Sequence, residues 1–368
     1  MANTGWYIFN FRRNLIAQMS SLGYRIAAIC PEDDFVGRLQ DLGVMWLPWN
    51  LEQTGTAVLG ELMAIYHLRA MFKRIRPVAV VSFTPKGNIY SGLALFGLNG
   101  SSIPNISGLG RGFSSVGVAG YVFRSLYRHA LRRADIVFFQ NEEDRREFVK
   151  RGIVRADITE RLMGSGVDLD RFNLRPLPCE LTRGSRNATF LMMARLLREK
   201  GVPEYVEAAR NLRRSYPGIR FLLLGPFDKA RGISKYEVEK WRKEGIIEYL
   251  GVREEVTEVI ASADCVVLPS YYREGVPRSL MEAAAMGRVC ITTDMPGCRD
   301  VVVDGETGWI CRPRDVADLS ARMEEFILRD VEQRLMMGKR ARGRMEALFD
   351  ERVIIQRYVS VLEKRSLN

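Results

Sequence analysis

Two glutamates that bracket a glycine-proline turn form the strongest chemical pattern in the sequence. Glu274 and Glu282 enclose the run GVPRSLM, which follows an apolar stretch at Cys265–Leu268 that predicts a strand. Pro277 suits the first turn of a helix, where its missing N–H costs nothing. The free amides of residues 276–279 would then be well placed to bind phosphate. Because carboxylates accept hydrogen bonds from sugar and ribose hydroxyls, the pattern indicates a nucleotide-sugar site. The simpler alternative is that Glu282 is an ordinary helix-surface residue.

A pair of cations follows another predicted strand. Arg195 and Lys200 lie in the run ARLLREKG, between a strand predicted at Thr189–Met193 and a helix opened by Gly201 and Pro203. Both cations therefore fall in a loop at the carboxyl end of a strand, the edge where open α/β sheets bind ligands. A guanidinium and an ammonium group there would neutralise the charge that builds on a diphosphate as a glycosidic bond breaks.

Apolar strands alternate with helical segments along the chain, which is typical of βαβ units and predicts an α/β fold with parallel sheets. The first series of strands is predicted at Tyr24–Ile29, Val44–Leu47, Val78–Phe83, Ile103–Ile106, Ile136–Phe139 and Ile158–Met163. The second series is predicted at Thr189–Met193, Ile219–Leu224, Ile247–Leu250, Cys265–Leu268 and Val289–Thr292. After Gly308 the pattern predicts only helices.

The two series predict two domains, at 1–170 and 188–348, joined by a linker at 171–187 that is rich in arginine and proline. Residues 349–368 predict a last helix that could reach back to the first domain, a crossing that the sequence alone does not decide. The first series begins with a turn and a helix, so the strand that should precede that helix is missing from a doubly wound sheet.

Bulk composition places the chain among globular proteins. It has 368 residues, 47% of them hydrophobic and 27% charged, which suits two domains and excludes disordered and collagen-like chains. We expect no transmembrane helix and no secretory signal. The six cysteines show no C-x-x-C spacing, so we expect reduced structural thiols and a cytoplasmic location.

The net charge of +11 points to anionic partners. No Asp or Glu occurs from Leu62 to Ala134. Nucleic acid is disfavoured, because neither a recognition helix nor an aromatic platform is evident. A basic amphipathic helix is predicted instead, and it indicates an anionic membrane surface. Its apolar residues are Tyr121, Phe123, Leu126, Tyr127 and Leu131, and its cations are Arg124, Arg128, Arg132 and Arg133.

Two short motifs suggest other chemistry. Asp168 and Asp170 form the D-x-D pattern that suits Mg²⁺ or Mn²⁺, but their place at the domain junction favours a structural or hinge role. The run GLGRG at 108–112 lacks the G-x-G-x-x-G spacing and the preceding strand of a dinucleotide site. We expect neither a metal nor a dinucleotide cofactor.

Together these stretches resemble the family 4 retaining glycosyltransferases, which have the GT-B architecture. The two glutamates match that family's Glu-x7-Glu motif, ARLLREKG matches its diphosphate-binding Arg and Lys, and GSGVDLDRF matches its interdomain segment. The resemblance implies two Rossmann-like doubly wound domains that face each other across a cleft. It also implies transfer with retention and without metal, in which the leaving phosphate takes the acceptor proton.

The resemblance implies functional roles for the residues of this sequence that match the family's motifs. Catalytic roles are implied for Arg195, Lys200 and Glu274. Donor-binding roles are implied for Val252, Arg253, Gly275, Val276, Pro277, Arg278, Ser279, Leu280 and Glu282, with the nucleobase near 251–253. Many family members also present a histidine to the transferred sugar. His67 and His129 are the two histidines here, and both fall in predicted helices with structural or surface roles.

The N-terminal half resembles a branch that includes N-acetylgalactosaminyltransferases acting on undecaprenyl-diphosphate sugars. The matching runs are TGWYIFNFR, SFTPKGNIYSG and NISGLGRGF. They imply acceptor-binding roles for Arg12, Lys86, Asn88, Gly110 and Arg111. The implied reaction moves an N-acetylhexosamine from a UDP-sugar to a polyprenyl-diphosphate-linked saccharide, on an enzyme held peripherally at the inner membrane face.

Two other functions remain open on the sequence alone. The same architecture could serve a nucleotide-sugar epimerase or hydrolase, which would consume donor without a second substrate. A noncatalytic protein that binds anionic lipid or polysaccharide would consume no donor at all.

Overall fold

The computed structural model describes residues 1–49, 58–110, 113, 117–178, 188–228 and 232–366. They form two compact units, Met1–Ser165 with Arg352–Asn368, and Gly166–Glu351. The division lies before the boundary that we predicted at 170, and residues 171–178 of the predicted linker belong to the second unit. The backbone explains this difference, because the Val167 amide donates to the Phe349 carbonyl at 2.8 Å within that unit. Residues 179–187 of the predicted linker lie outside the described residues.

The first unit contains two parallel sheets, one of β1–β2 and one ordered β3–β4–β5–β6. Its strands are β1 Ala27–Cys30, β2 Met45–Pro48, β3 Ala79–Ser82, β4 Ser101–Ile106, β5 Val137–Phe139 and β6 Thr159–Arg161. Its helices are α1 Gly5–Ser21, α2 Val36–Asp41, α3 Val58–Ile75, α4 Pro85–Ala94, α5 Val118–Leu131 and α6 Glu142–Lys150. The last helix of the chain, Glu351–Ser366, also packs here.

Residues 1 and 2 lie between the two sheets and form backbone hydrogen bonds on both sides, as a connecting strand would. The Ala2 amide donates to the Ile29 carbonyl at 3.2 Å, and the Phe83 amide donates to the Met1 carbonyl at 3.2 Å. The chain then turns into α1, whose first turn is capped by the Thr4 hydroxyl accepting from the Tyr7 amide. The predicted opening turn and helix are confirmed, and the parallel strands of this unit form two separate sheets.

The last helix is held to the first unit by a buried tyrosine. The Tyr358 hydroxyl accepts from Asn105 Nδ2 at 2.7 Å, and its ring packs on Phe138 with centroids 4.9 Å apart. Arg357 adds an ion pair with Glu160 of β6. The helix therefore completes the hydrophobic core of this unit rather than that of Gly166–Glu351.

The second unit is one parallel sheet ordered β12–β11–β10–β7–β8–β9. Its strands are β7 Thr189–Met193, β8 Arg220–Leu224, β9 Glu248–Tyr249, β10 Cys265–Leu268, β11 Val289–Thr293 and β12 Gly308–Cys311. Its helices are α7 Val202–Ser215, α8 Lys235–Lys243, α9 Thr257–Ala261, α10 Arg278–Ala285, α11 Cys298–Val301, α12 Val316–Leu328 and α13 Val331–Leu348. The last helix described above, Glu351–Ser366, is α14.

Strand β12 corrects the expectation that only helices follow Gly308. It pairs in parallel with β11, with Gly308 opposite Cys290, and a Cβ atom at Gly308 would lie 1.9 Å from the Cys290 carbonyl oxygen. This edge strand is short, and only its pairing with β11 distinguishes it from a loop. In the described part of the chain, no helix combines the length and the apolar character that a membrane crossing needs.

Candidate active site

The loops that follow β7 and β10 meet at a glycine in the second unit. Gly201 ends the short 3-10 turn Arg198–Lys200 with a φ of 80°, a value that favours glycine. A Cβ atom at Gly201 would lie 2.1 Å from the Pro269 carbonyl oxygen. Glycine therefore allows the loop that carries Lys200 to pack directly against the loop that carries Glu274.

This packing joins the predicted cation and carboxylate. Lys200 Nζ forms an ion pair with Glu274 Oε1, and 15% and 12% of the two side chains are exposed. The Ser270 hydroxyl lies 3.0 Å from the same Glu274 oxygen and 3.3 Å from the Glu199 carbonyl oxygen. The Tyr272 ring lies beside Lys200, with its centroid 5.8 Å from Nζ. Sequence reasoning missed Ser270 and Tyr272, although both follow β10 at the carboxyl edge of the sheet.

A third loop supports the turn after Glu274. Gly297, beyond β11, has a φ of 81°, and a Cβ atom there would lie 1.4 Å from the Gly275 carbonyl oxygen. The Thr293 hydroxyl at the end of β11 donates to the Ser270 carbonyl. The loops after β7, β10 and β11 thus converge at one edge of the sheet, and neither Gly297 nor Thr293 has a local sequence signal for this role.

The helix after this turn begins one residue later than expected. Pro277 is the N-cap of α10, with a φ of −66° and a ψ of 122°, rather than a residue of its first turn. Since the first amides of a helix have no intrahelical partner, the amides of Arg278, Ser279 and Leu280 are the ones available to an anion. Val276, Pro277 and Leu280 are buried, so any contact they make with a donor would use backbone groups.

Glu282 forms an ion pair within α10. Arg278 Nε donates to Glu282 Oε1 at 2.9 Å, and 14% and 13% of the two side chains are exposed. Arg278 also approaches the Gly166 carbonyl oxygen at 3.5 Å. Glu282 is therefore a mostly buried and paired carboxylate in the middle of α10, not a freely exposed helix-surface residue.

The other predicted donor residues are more exposed. Arg195 follows β7 with 57% of its side chain exposed and lies 3.5 Å from Asp228. Val252 and Arg253 are exposed beyond β9, and β8 separates that edge strand from β7. The role of Val252 and Arg253 in donor binding stays a prediction.

A row of polar side chains follows the strands of the first unit. Ser107, after β4, donates to the Phe83 carbonyl at 3.1 Å. Gln140, after β5, donates to Asn105 Oδ1 at 3.1 Å. Sequence reasoning missed Gln140, which belongs to none of the motifs described above.

The predicted acceptor residues occupy different environments in the first unit. Arg12 is buried, with its guanidinium carbon 4.0 Å from the Phe83 ring centroid. Asn88 is buried and donates to the Asn105 carbonyl at 2.9 Å. Lys86 forms an ion pair with Glu61 at 2.7 Å. Gly110 has a φ of 61°, and Arg111 lies outside the described residues. Acceptor binding by this set stays a prediction.

The structure gives residues outside the main site clear local roles. His67 and His129 are exposed on α3 and α5. Asp168 Oδ1 accepts from the amides of Asp170 and Arg171 at 3.1 and 2.9 Å, which stabilises a turn. Among the described residues, no group of three or more His, Cys, Asp or Glu side chains is placed to hold a metal ion.

Helix α5 is only partly the amphipathic helix that we expected. Tyr127 and Leu131 are buried in the core, whereas Tyr121 and Leu126 are exposed. Arg128 donates to the carbonyls of residues 151 and 152. The apolar residues therefore lie on two faces, because one side of the helix packs into the hydrophobic core.

Comparisons with known proteins agree with this fold. The family described as glycosyl transferases group 1 matches residues 180–344, and a glycosyl transferase 4-like domain matches residues 10–164. The fold matches a glycosyltransferase from Rickettsia africae, with a TM-score of 0.79 and 16% identity over 100% of this chain and 97% of that one. It also matches Anabaena HepE in complex with UDP and glucose, with a TM-score of 0.74 and 17% identity over 95% of both chains. The protein thus has the GT-B fold, with two Rossmann-like parallel sheets.

The sequence relatives define the class more closely. The chain is 26% identical, over 99% of its length and 97% of the relative, to a Campylobacter jejuni N,N'-diacetylbacillosaminyl-diphospho-undecaprenol alpha-1,3-N-acetylgalactosaminyltransferase. It is 29% identical to the putative colanic acid biosynthesis glycosyltransferase WcaL of Escherichia coli, over 64% of this chain and 58% of that one. The chain belongs to the group 1, or family 4, glycosyltransferases and is an enzyme of that class.

Proposed function

We propose that this enzyme transfers an N-acetylhexosamine from a UDP-sugar to a polyprenyl-diphosphate-linked saccharide, in the synthesis of a surface or lipid-linked polysaccharide. The observation that carries the proposal is the convergence of Lys200, Glu274 and the first amides of α10 at one sheet edge. Cations and free amides bind a diphosphate, while carboxylates bind hydroxyl groups. This combination suits a sugar diphosphate better than a simple phosphate.

We assign roles to the site residues according to the part of the donor that each would contact, beginning with the leaving diphosphate. Lys200 and Arg195 would stabilise the negative charge that develops on the diphosphate as the glycosidic bond breaks. Glu274, Glu282 and the turn at 275–280 would bind the sugar and ribose, with Val252 and Arg253 near the base. We propose that retention needs no metal and no protein nucleophile, since the leaving phosphate can accept the proton of the acceptor hydroxyl.

The relatives support the choice of donor and acceptor in this proposal. The Campylobacter relative, whose name includes an undecaprenol-linked acceptor and N-acetylgalactosamine, matches nearly the whole chain. HepE has been crystallised with UDP and glucose, and pneumococcal GtfA with UDP and GlcNAc. We propose a location at the inner membrane face, where a lipid-linked acceptor would be reached, with acceptor contacts from Arg12, Lys86, Asn88, Gly110 and Arg111.

The test is to incubate the enzyme with a panel of nucleotide sugars and to measure the released nucleotide, with and without a polyprenyl-diphosphate-linked saccharide. We expect a UDP-N-acetylhexosamine to give nucleotide release. That release should depend on the acceptor and should persist when a metal chelator is present. Release that is equal without acceptor would indicate a hydrolase, conversion of donor without release an epimerase, and no consumption a binding protein. Chelator-sensitive transfer would contradict the metal-independent mechanism alone.

A further inference from the structure

Arg314 adopts a backbone conformation that favours glycine. Its φ is 60°, in the left-handed region where a Cβ atom crowds the neighbouring carbonyl oxygen. The residue lies between β12 and α12, and Asp315 after it caps α12 by accepting from the Asp318 amide at 2.9 Å. The turn into α12 therefore uses the left-handed conformation, but it does not need an arginine side chain. Glycine would fit with less strain, so a contact of the Arg314 side chain is expected to offset that strain.

The side chain of Arg314 packs on an aromatic ring beside the candidate active site. Its guanidinium carbon lies 4.3 Å from the ring centroid of Tyr271, a distance at which a cation is attracted to the ring. Tyr271 directly follows Ser270, whose hydroxyl lies 3.0 Å from a Glu274 carboxylate oxygen. Burial raises the pKa of Glu204 in the first turn of α7, and the nearby charge of Arg314 opposes that rise. Arg314 therefore lies close to both the segment after β10 and the start of α7.

The segment after β10 also anchors the loop that carries Lys200. The Glu199 carbonyl accepts from the amides of Tyr271 and Tyr272 at 2.9 and 3.1 Å. The Ser270 hydroxyl lies 3.3 Å from the same carbonyl oxygen. Lys200 is the next residue along the chain, and α7 begins two residues after it. Its backbone is therefore placed by the same segment on which the arginine packs.

We propose that Arg314 is a positioning residue that keeps Lys200 in place for the donor diphosphate. The guanidinium restrains the Tyr271 ring, and the backbone of Tyr271 restrains the Glu199 carbonyl. The inference rests on the proposed function, because it assigns Arg314 to the donor site through Lys200 and not through a contact with substrate. Since Arg314 is exposed, its contact with the ring is modest in energy. The effect on donor binding should accordingly be several-fold and not complete.

Nucleoside diphosphate binding, measured by isothermal titration calorimetry on the full chain, tests the assignment. Arg314→Gly removes the guanidinium and supplies the residue that this backbone conformation favours. We expect its dissociation constant for UDP to rise about three- to fivefold. Arg76→Gly is the matched control, because Arg76 is the other arginine with a positive φ among the described residues, at 46°, and it is exposed in the first unit. The control variant should bind UDP as wild type does.

A double-mutant cycle distinguishes positioning from a general loss of structure. If Arg314 acts through Lys200, Arg314→Gly should cause no further loss of UDP affinity in a Lys200→Ala background. An equal loss in both backgrounds, or an Arg314→Gly protein that binds UDP like wild type, would overturn the inference and leave the proposed donor site intact. Wild-type affinity in Lys200→Ala would overturn the donor site and the inference with it. A wild-type protein that binds none of UDP, GDP and ADP would also overturn both.

The aromatic ring has a test of its own. Tyr271→Leu removes the ring and keeps the backbone hydrogen bond to the Glu199 carbonyl. It should weaken UDP binding as Arg314→Gly does, and the two changes together should cause no larger loss than either alone, because they remove the same contact. A loss in Arg314→Gly that Tyr271→Leu does not reproduce would indicate that the arginine contacts the ligand directly, and would overturn the positioning role.

Hydrogen exchange tests the packing without any ligand. The amides of Tyr271 and Tyr272 should exchange about threefold faster in Arg314→Gly, because the segment that contains them is less firmly held, whereas Arg76→Gly should match wild type. Arg314→Asn, which also tolerates the left-handed conformation, should behave as Arg314→Gly does. Unchanged exchange at these amides in both variants would overturn the inference even if UDP affinity fell.

The melting temperature guards against a variant that is merely unstable. Arg314→Gly and Arg314→Asn should both melt within about 3 °C of wild type, because relief of backbone strain offsets the lost contact with the ring. A much larger fall in both variants would show that Arg314 stabilises the whole unit, and would overturn its assignment as a positioning residue.

Discussion

Lys200 and Glu274 form an ion pair between the loops after β7 and β10, with most of both side chains withdrawn from water. We predict that Lys200→Ala abolishes donor turnover, because the cation that we propose to bind the diphosphate is lost. Glu282→Ala should do the same, because it removes the carboxylate that we propose accepts hydrogen bonds from the hydroxyl groups of the donor. Each change should lower kcat/KM by about 10²-fold or more, measured as nucleotide release.

These two changes should leave the fold intact, since neither side chain belongs to the hydrophobic core. Lys243→Ala, at an exposed position of α8, is the matched control and should retain activity. Wild-type turnover in both site variants would refute the assigned site, whereas loss of the far-ultraviolet circular dichroism signal would make a variant uninformative and require Lys200→Arg and Glu282→Gln.

The close approach of Gly297 to Gly275 gives a second prediction. Gly297→Ala places a Cβ atom 1.4 Å from the Gly275 carbonyl oxygen, so the turn after Glu274 must move and donor kcat/KM should fall. Gly305→Ala is the matched control, because its φ of 74° is similar but nothing lies within 4 Å of its Cβ position. It should cost about 1 kcal/mol of backbone strain without a change in donor kinetics. Equal kinetic effects in the two variants would contradict the supporting role of Gly297.

A third prediction concerns the last helix. Tyr358→Phe removes the hydroxyl that accepts from Asn105 at 2.7 Å and leaves a buried amide donor without that partner. The free energy of unfolding of the first unit should fall by about 1–3 kcal/mol, measured by urea denaturation. Tyr236→Phe, at an exposed tyrosine of α8, should have no effect. A Tyr358→Phe protein as stable as wild type would show that the hydrogen bond between Asn105 and Tyr358 contributes nothing to the free energy of unfolding.

The buried thiols give a fourth prediction, on pH. Burial raises the pKa of Cys290, Cys298 and Cys311 to about 12, from an ordinary value of 9.0. A raised pKa means that the folded state holds these protons more tightly, so the stabilisation is complete below pH 9.0 and is lost as pH rises towards about 12. The free energy of unfolding should decline over that range.

The same thiols should resist modification. At mildly alkaline pH they stay protonated and inaccessible, so we expect them to react with a disulfide reagent only after denaturation in guanidinium chloride. Peptide mapping after alkylation distinguishes them from Cys179, which lies outside the described residues. Fast native labelling of Cys298 would contradict its burial beside the site.

The local sequence was sufficient to predict much of the sheet in the second unit. The strands at Thr189–Met193 and Cys265–Leu268 are confirmed at their predicted bounds, because short apolar runs between loop signals are typical of parallel strands buried on both faces. The opening helix of the first unit was also predictable, since its residues carry a helix pattern. Strand β12 was not, because four residues after a glycine acquire their structure only by pairing with β11.

The sequence by itself determined the class of enzyme, through short motifs whose spacing matches a known family, and it brought attention to Lys200, Glu274 and Glu282. Only the tertiary structure decided that Lys200 pairs with Glu274 and that Ser270 and Gly297 support them. The physical reason is distance along the chain: contacts between loops and the choice of helix face depend on packing against residues far away in sequence, which no local pattern encodes.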